Sequence, residues 1–278
     1  MTTVNIQDVD VPTFFYGTAW KEERTEALVL QALAVGFTAF DTANLRRYFF
    51  EAGVGAALAK ITPAERSRLF LQTKFCYRET QDHRLPYSDT ADTVTQVRQS
   101  LASSKQHLGV TNIDSLLLHR PHQRVGLSKN DIQVWRTFED LYQESQVGLI
   151  GVSNFTAAQL AELCRVAKVP PAFVQNRCYA RLGWDRETRA VCRNEGVIYQ
   201  GFSLLTVNRV EMHSATLRAI ASRHGKTPAQ VVFRFARSLG MICLTGSTNA
   251  DHLRQDLASE DFELSAAELE TLETISSS

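Results

Sequence analysis

Short apolar runs alternate with longer amphipathic segments from one end of the chain to the other. Each run has four to seven residues, is rich in Phe, Val, Leu or Ile, and lacks strict polar alternation. Such runs are typical of parallel strands that are covered on both faces. The pattern predicts eight strands, at 13–16, 37–41, 69–74, 113–119, 149–153, 173–176, 197–202 and 241–244.

The segments between these runs have the spacing of amphipathic helices. Ser128 and Thr156 stand just before two of them and supply the short hydroxyl that caps a helix start. An additional helix is predicted at 212–224, and an amphipathic tail at 266–275 is expected to cover one end of the fold. The predicted helices between strands are 22–35, 51–59, 90–108, 129–144, 157–166, 185–194, 227–239 and 250–257.

Eight strand-then-helix repeats without a Pro/Ser-rich linker favour a closed (β/α)8 TIM barrel, a single-domain α/β fold over residues 1–278. An open doubly wound sheet is the structural alternative. The first strand is not followed by the G-x-G-x-x-G turn of a dinucleotide-binding sheet, which weakens that alternative.

The charge balance argues against partners that bind through bulk charge. The 278 residues contain 30 Lys and Arg against 30 Asp and Glu, so the formal net charge is +0. Neither a nucleic-acid partner nor an anionic membrane is expected from these totals. No apolar run approaches the ~20 residues of a membrane span, and the five scattered cysteines form no C-x-x-C pair. We therefore expect a cytoplasmic protein with reduced thiols and no metal site.

Polar side chains close most of the predicted strands, where a barrel of this kind carries its active site. Asp41, Lys74 and His119 end three neighbouring strands, and Tyr48 follows the first of these. A Lys beside a Tyr lowers the cost of a phenolate, and an Asp paired with that Lys fixes its position. Together they provide a proton donor to an oxygen that becomes negative. Taken singly, the Asp and Lys also fit a structural ion pair, and the His fits a core residue.

Six motifs in order along the chain resemble those of the aldo-keto reductase family. They are Tyr16-Gly17-Thr18-Ala19-Trp20, Phe40-Asp41-Thr42-Ala43 with Tyr48, Glu51-Ala52-Gly53-Val54-Gly55, Leu71-Gln72-Thr73-Lys74, Leu116-Leu117-Leu118-His119-Arg120-Pro121, and Gly151-Val152-Ser153-Asn154-Phe155. The resemblance implies an NAD(P)H-dependent oxidoreductase that reduces an aldehyde or ketone.

The resemblance also implies roles for individual residues. Asp41, Tyr48, Lys74 and His119 would be the catalytic tetrad, with Tyr48 as the proton donor. Trp20, Phe49 and Arg120 would contact a small carbonyl substrate. The implied cofactor-binding residues are Gly17, Thr18, Ala19, Asp41, Ser153, Asn154, Gln175, Phe202, Ser203, Leu205, Gly246, Ser247, Thr248, His252, Gln255 and Asp256.

Two departures from the family pattern bear on these roles. Tyr48 stands seven residues after Asp41, where the family usually has five, which indicates a two-residue insertion within residues 44–47, similar to fungal members. A displaced Tyr48 would be an ordinary surface aromatic. Gly246 and His252 stand where many NADPH-specific members carry Lys and Arg, so a guanidinium clamp for the 2′-phosphate is absent there. NADPH is the expected cofactor, with NADH as the alternative.

Two other classes of protein remain open on the sequence. A reductase-like regulatory subunit would bind the nucleotide with little turnover. A metal-dependent barrel hydrolase would use Asp41, His119 and further strand-end ligands, but the sequence has no H-x-H pair or clustered carboxylates. The oligomeric state is expected to be a monomer or weak homodimer.

Overall fold

Eight parallel strands close into a ring in the computed structural model, which describes residues 2–276. A separate two-stranded antiparallel hairpin precedes them. The strands are β1 (Thr3–Ile6), β2 (Val9–Pro12), β3 (Phe14–Gly17), β4 (Ala39–Asp41), β5 (Phe70–Phe75), β6 (Ile113–Leu118), β7 (Val147–Ser153), β8 (Phe173–Arg177), β9 (Ile198–Phe202) and β10 (Ile242–Thr245). Their order around the ring is β10-β3-β4-β5-β6-β7-β8-β9, so the predicted (β/α)8 barrel is confirmed.

Helices surround the barrel and return the chain from each strand to the next. They are α1 (Thr25–Val35), α2 (Glu51–Leu58), α3 (Pro63–Arg66), α4 (Thr93–Leu108), α5 (Lys129–Gln143), α6 (Ala157–Val166), α7 (Arg186–Glu195), α8 (Arg209–Met212), α9 (Ala215–His224), α10 (Pro228–Ser238), α11 (Ala250–Leu257) and α12 (Ala266–Glu273). The hydroxyls of Ser128 and Thr156 cap α5 and α6 as predicted, each within a capping box.

The additional helix predicted at 212–224 is divided into α8 and α9. Ser214 lies between the two helices and accepts a hydrogen bond from the backbone N–H of Leu217 at 3.1 Å. A serine in that position starts a new helix by satisfying a free N–H group of its first turn. The apolar periodicity runs through the division, which is why the pattern alone indicated one helix.

The amino-terminal hairpin was not predicted. Val4, Ile6, Val9 and Val11 alternate with polar residues across it, and the turn places Gln7 and Asp8 at positive φ. Ile6 and Val11 are buried and pack with Phe15 and other residues that point into the barrel. Since β2 leads directly into β3, the hairpin closes the amino end of the barrel.

The tail does not provide that cover. It forms α12, whose Leu272 carbonyl accepts a hydrogen bond from the Trp184 indole at 2.9 Å, and whose Glu273 pairs with Arg189 at 2.6 Å. The α12 helix therefore packs on the outer ring, against the start of α7 and against α10.

The α2 helix, which follows the segment carrying Tyr48, packs closely on α4 through Gly55. A Cβ atom on Gly55 would lie 2.0 Å from the carbonyl oxygen of His107 and 3.1 Å from the Cα of Leu108. At the start of α2, the buried Glu51 accepts hydrogen bonds from Thr73 at 2.5 Å and from His107 at 3.2 Å. These contacts fix α2 against β5 and α4.

Replacement of Gly55 by alanine tests this packing, because helix propensity and the close approach of α4 change the free energy of unfolding in opposite directions. Helix propensity alone favours alanine by about 1 kcal/mol. We expect instead that Gly55→Ala lowers the free energy of unfolding by roughly 1–3 kcal/mol, because the backbone of α4 must move. Urea unfolding measures the change, with Ala52→Gly on the exposed side of α2 as the control for propensity. A Gly55→Ala protein as stable as the parent would contradict the close approach.

Candidate active site

A cavity of about 1030 Å³ opens at the carboxyl ends of the barrel strands. Its walls include all four residues of the predicted tetrad, Asp41, Tyr48, Lys74 and His119. The other predicted residues on its walls are Gly17, Ala19, Trp20, Phe49, Ser153, Asn154, Gln175, Phe202, Ser203, Leu205, Gly246, Ser247, His252, Gln255 and Asp256. Residues distant in the sequence therefore meet at one mouth.

Three predicted residues lie outside the walls of the cavity. Thr18 is fully buried, and its hydroxyl donates a hydrogen bond to the carbonyl of Asp41 at 3.0 Å, so it supports the β3–β4 junction. The Thr248 carbonyl accepts a hydrogen bond from Gln31 at 3.2 Å. Arg120, which was expected to contact the substrate, is exposed and does not line the cavity.

Lys74 and Asp41 form a buried ion pair at the floor of the cavity. The Lys74 ammonium donates to both oxygens of Asp41, at 2.6 and 2.7 Å, and to the Thr42 carbonyl at 2.8 Å. The two side chains are 1% and 5% exposed. Because every N–H of the ammonium has a partner, the pair is oriented by geometry as well as by charge.

The segment after β4 brings Phe49, rather than Tyr48, into contact with Lys74. The Phe49 ring centre lies 5.3 Å from the Lys74 ammonium and 6.0 Å from the His119 ring. The Tyr48 ring lies 4.4 Å from that of Trp20 at the cavity mouth. Within residues 2–276, the Tyr48 hydroxyl makes no hydrogen bond, so it is free to meet a bound molecule.

A buried thiol lies beside the imidazole ring of His119. Its Nδ1 lies 3.0 Å from the Sγ of the buried Cys76. Burial and the nearby Lys74 and Arg120 charges lower the pKa of His119 to about 3, so the ring is neutral. Burial raises the pKa of the Cys76 thiol, which therefore keeps its proton. A thiol that donates to Nδ1 leaves the ring proton on Nε2.

Three side chains expected at the nicotinamide end lie together beside Asp41. The Ser153 hydroxyl donates to the Gln175 carbonyl at 2.7 Å, and the Asn154 amide donates to the His119 carbonyl at 2.8 Å. The Gln175 amide nitrogen donates to Asp41 at 2.9 Å. In the described part of the chain, the Gln175 side-chain oxygen has no partner, although Gln175 is 3% exposed and lines the cavity. That oxygen is suited to accept from an amide of a ligand.

The opposite end of the cavity carries a cation that sequence reasoning missed. Lys21, from the segment after β3, donates to the Gly246 carbonyl. A Cβ on Gly246 would lie 3.4 Å from the Lys21 nitrogen. Burial and then the Arg24 charge lower the pKa of Lys21, because no anionic side chain compensates its charge. The spatial adjacency of Lys21 to Gly246 has no local signal, since 225 residues separate them.

A buried carboxyl also belongs to this end of the cavity. The Thr245 hydroxyl donates to Asp256 at 2.8 Å, and burial raises the pKa of Asp256 to about 6. Two further missed residues, Arg177 and Arg218, line the cavity, and the Arg177 guanidinium lies 5.5 Å from the Phe202 ring. Both arginines stand outside the motifs that indicated a function.

Residues 2–276 offer neither a metal-binding cluster nor a membrane-spanning helix. No group of three or more His, Cys, Asp or Glu side chains there is arranged to hold a metal ion. No helix in that range has the length and apolar character needed to cross a membrane.

Comparison with known proteins gives one consistent family. The sequence profile of the aldo/keto reductase family matches residues 13–277. An aldo-keto reductase of Mycobacterium leprae is 32% identical over 251 residues, which are 90% of this chain and 82% of that protein. The crystal structure of an aldo/keto reductase from Brucella melitensis has a TM-score of 0.82 at 27% identity and covers 98% of each chain.

A Bombyx mori aldo-keto reductase solved in complex with NADP shares the fold, with a TM-score of 0.80 at 22% identity over 98% of this chain and 92% of that one. The family profile, the sequence relatives and the cavity agree with each other and with the resemblance noted in the sequence. This chain belongs to the aldo-keto reductase family and is an NAD(P)H-dependent oxidoreductase.

Proposed function

We propose that this enzyme reduces the carbonyl group of a small aldehyde or ketone, with Tyr48 as the proton donor and NADPH as the preferred cofactor. The observation that carries the proposal is the buried Lys74–Asp41 pair, with His119 and Tyr48 on the walls of the same cavity. Carbonyl reduction turns a neutral oxygen into an alkoxide, and this set of groups can stabilise and protonate that oxygen.

Tyr48 is suited to the proton transfer because its hydroxyl has no competing partner. It is the only tyrosine among the cavity-lining residues in the range 2–276. Hydrogen bonds of a catalytic acid are commonly long before substrate is present and tighten in the complex. In the proposed complex the hydroxyl moves toward Lys74, whose charge favours the phenolate that forms.

His119 is suited to orient the carbonyl oxygen. Its neutral ring presents Nε2–H to the cavity while Cys76 occupies Nδ1. A neutral N–H donor polarises the carbonyl without adding a second cation beside Lys74. Trp20, which is 69% exposed, and Phe49, which is 8% exposed, supply the apolar contacts on either side of this position.

The chain provides a fitting place for a nicotinamide dinucleotide. The unpartnered Gln175 oxygen can accept from the carboxamide, and Phe202 offers a ring face at the end of β9. When bound, the reduced nicotinamide supplies the hydride. Ser203, Leu205, Gly246, Ser247, His252, Gln255 and Asp256 continue the wall toward the adenosine end. Holding one ring face toward the substrate is the task of Ser153, Asn154 and Gln175.

The preference for NADPH rests on Lys21. Its ammonium stands over Gly246, where the family resemblance places the cation for the 2′-phosphate, and it lacks an anionic partner. In this proposal the cation for the 2′-phosphate comes from the segment after β3, whereas the family pattern places it in the segment after β10.

The regulatory-subunit alternative is not favoured, because the four side chains proposed for turnover line one cavity. Five free cysteines suit a cytoplasmic protein, and a monomer or weak homodimer is proposed.

Removing the Tyr48 hydroxyl tests the proton donor. We expect Tyr48→Phe to lower kcat for carbonyl reduction by about 100-fold or more, since general acid catalysis is lost. The dissociation constant of the cofactor, measured by quenching of protein fluorescence, should stay within about twofold of the parent value. Tyr142→Phe on α5 is the control and should behave like the parent. Unchanged turnover by Tyr48→Phe would contradict the assignment.

Removing the Lys21 charge tests the cofactor preference. Lys21→Ala should weaken NADPH binding about tenfold or more and NADH binding much less, because a charge-assisted bond to the extra phosphate is lost. Titration calorimetry with each cofactor measures the two affinities. Lys60→Ala, on the surface beside Glu26, is the control. An equal loss for both cofactors would place Lys21 at a phosphate they share.

The protonation state of His119 is measurable by NMR with ¹⁵N-labelled histidine. We expect a neutral Nε2–H ring that does not titrate between about pH 5 and pH 9, whereas an unperturbed histidine titrates near about pH 6.5. Cys76→Val should give a mixture of tautomers, and Cys243→Val, at another buried thiol, should not. A His119 ring that becomes charged within this range would overturn its proposed role, and His119→Gln identifies the signal.

A further inference from the structure

Three glutamines form a hydrogen-bonded layer inside the barrel, directly beneath the cavity. Gln72 on β5 and Gln200 on β9 are 0% exposed, and Gln175 on β8 is 3% exposed. The interior of such a barrel is ordinarily filled by bulky branched apolar side chains. Burial of polar amides is unfavourable unless each is hydrogen-bonded, so the layer needs a physical reason.

The side-chain amides of Gln72 and Gln200 are hydrogen-bonded to each other. The Gln72 amide nitrogen donates to the Gln200 oxygen at 2.8 Å, and the Gln200 nitrogen donates back to the Gln72 oxygen at 3.1 Å. The Ser115 hydroxyl donates to the same Gln72 oxygen at 3.0 Å. The result is a reciprocal amide pair that crosses the barrel from one wall to the other.

The pair connects to the catalytic floor through Asp41. The Gln72 nitrogen donates to Asp41 at 2.7 Å, and the Gln175 nitrogen donates to the same carboxylate oxygen at 2.9 Å. The Gln175 nitrogen also donates to the Gln200 oxygen at 3.0 Å. Asp41, Gln72, Gln200 and Gln175 therefore close a ring of hydrogen bonds, and Lys74 donates to both oxygens of the carboxylate.

The direction of every bond in this ring follows from the carboxylate. An ionised Asp41 can only accept, so Gln72 and Gln175 must each turn a nitrogen toward it. The Gln72 oxygen is then left for Gln200, whose own oxygen must face Gln175. Among the side-chain oxygens of these four residues, the Gln175 oxygen on the cavity wall is the one without a partner in residues 2–276.

We propose that Gln72 and Gln200 are positioning residues that lock Gln175 with its oxygen toward the cavity and so prepare it for the carboxamide of the cofactor. The inference rests on the proposed role of Gln175 at the nicotinamide. Neither Gln72 nor Gln200 lines the cavity, so both act through Gln175 and Asp41. The layer thus connects Asp41, which orients Lys74, to the Gln175 amide, which in this proposal binds the nicotinamide carboxamide.

The test compares binding of two oxidised cofactors, NADP and its 3-acetylpyridine analogue, to the full-length chain. The acetyl group, which replaces the carboxamide, keeps the carbonyl but lacks the N–H groups that would donate to the Gln175 oxygen. The parent should bind NADP about tenfold more tightly than the analogue. We expect Gln72→Met and Gln200→Met each to reduce this ratio to about threefold or less, because the Gln200 oxygen is then free to turn or absent and Asp41 alone orients the Gln175 amide.

Two further variants keep the result interpretable. The double variant Gln72→Met/Gln200→Met removes both members of the reciprocal pair, so the Gln200 nitrogen is not left without its acceptor as it is in Gln72→Met, and it should also show the reduced ratio. Gln159→Met replaces another buried glutamine, at the start of α6 outside the cavity wall, and should keep the tenfold ratio despite lower stability. Urea unfolding confirms that each protein is folded.

Gln175→Met separates the inference from the function beneath it. If Gln175→Met loses the ratio while folded Gln72→Met, Gln200→Met and the double variant all keep it, the inference is overturned and the role of Gln175 stands. If Gln175→Met keeps the ratio, both the inference and the proposed role of Gln175 at the nicotinamide are overturned. A reduced ratio in Gln72→Met, which lies farther along the ring from Gln175, supports the inference most strongly.

Discussion

The ion pair between Lys74 and Asp41 is the constraint on which the rest of this structure depends. Two charges removed from water are unfavourable unless they meet at close range and their remaining hydrogen-bonding groups are satisfied. Here a backbone carbonyl and two glutamine amides complete the pair. The closed ring of strands brings these groups together, and the hairpin at the amino end keeps the opposite opening covered. The packing that closes the barrel therefore also positions the residues of the site.

The two aromatic residues after β4 determine how this pair meets the cavity. Phe49 covers the Lys74 ammonium and touches His119, while Tyr48 packs on Trp20 at the mouth. An aromatic face beside a cation is favourable and excludes water from it. Because the Tyr48 hydroxyl makes no hydrogen bond to Lys74 in this structure, the proposed proton transfer requires residues 48 and 49 to move.

Much of the fold could be predicted because strand and helix periods are local properties. All eight barrel strands were predicted within two residues at each end, and the capping hydroxyls of Ser128 and Thr156 gave two helix starts. The hairpin was missed although Val4, Ile6, Val9 and Val11 alternate, because its strands have four residues each and precede the strand-then-helix repeats. The pairing of Lys21 with Gly246 depends on barrel closure, which no local pattern encodes. Gln72 did carry a signal, since it lies two residues before Lys74 and therefore on the same face of β5.

A crystal structure of the chain with oxidised cofactor and a carbonyl inhibitor would test the proposed proton transfer most directly. We expect the Tyr48 hydroxyl to lie within about 3 Å of the Lys74 ammonium, a hydrogen-bond distance, and also to face the inhibitor oxygen. A complex in which Phe49 still covers Lys74 and the Tyr48 hydroxyl remains beside Trp20, away from the inhibitor, would contradict it.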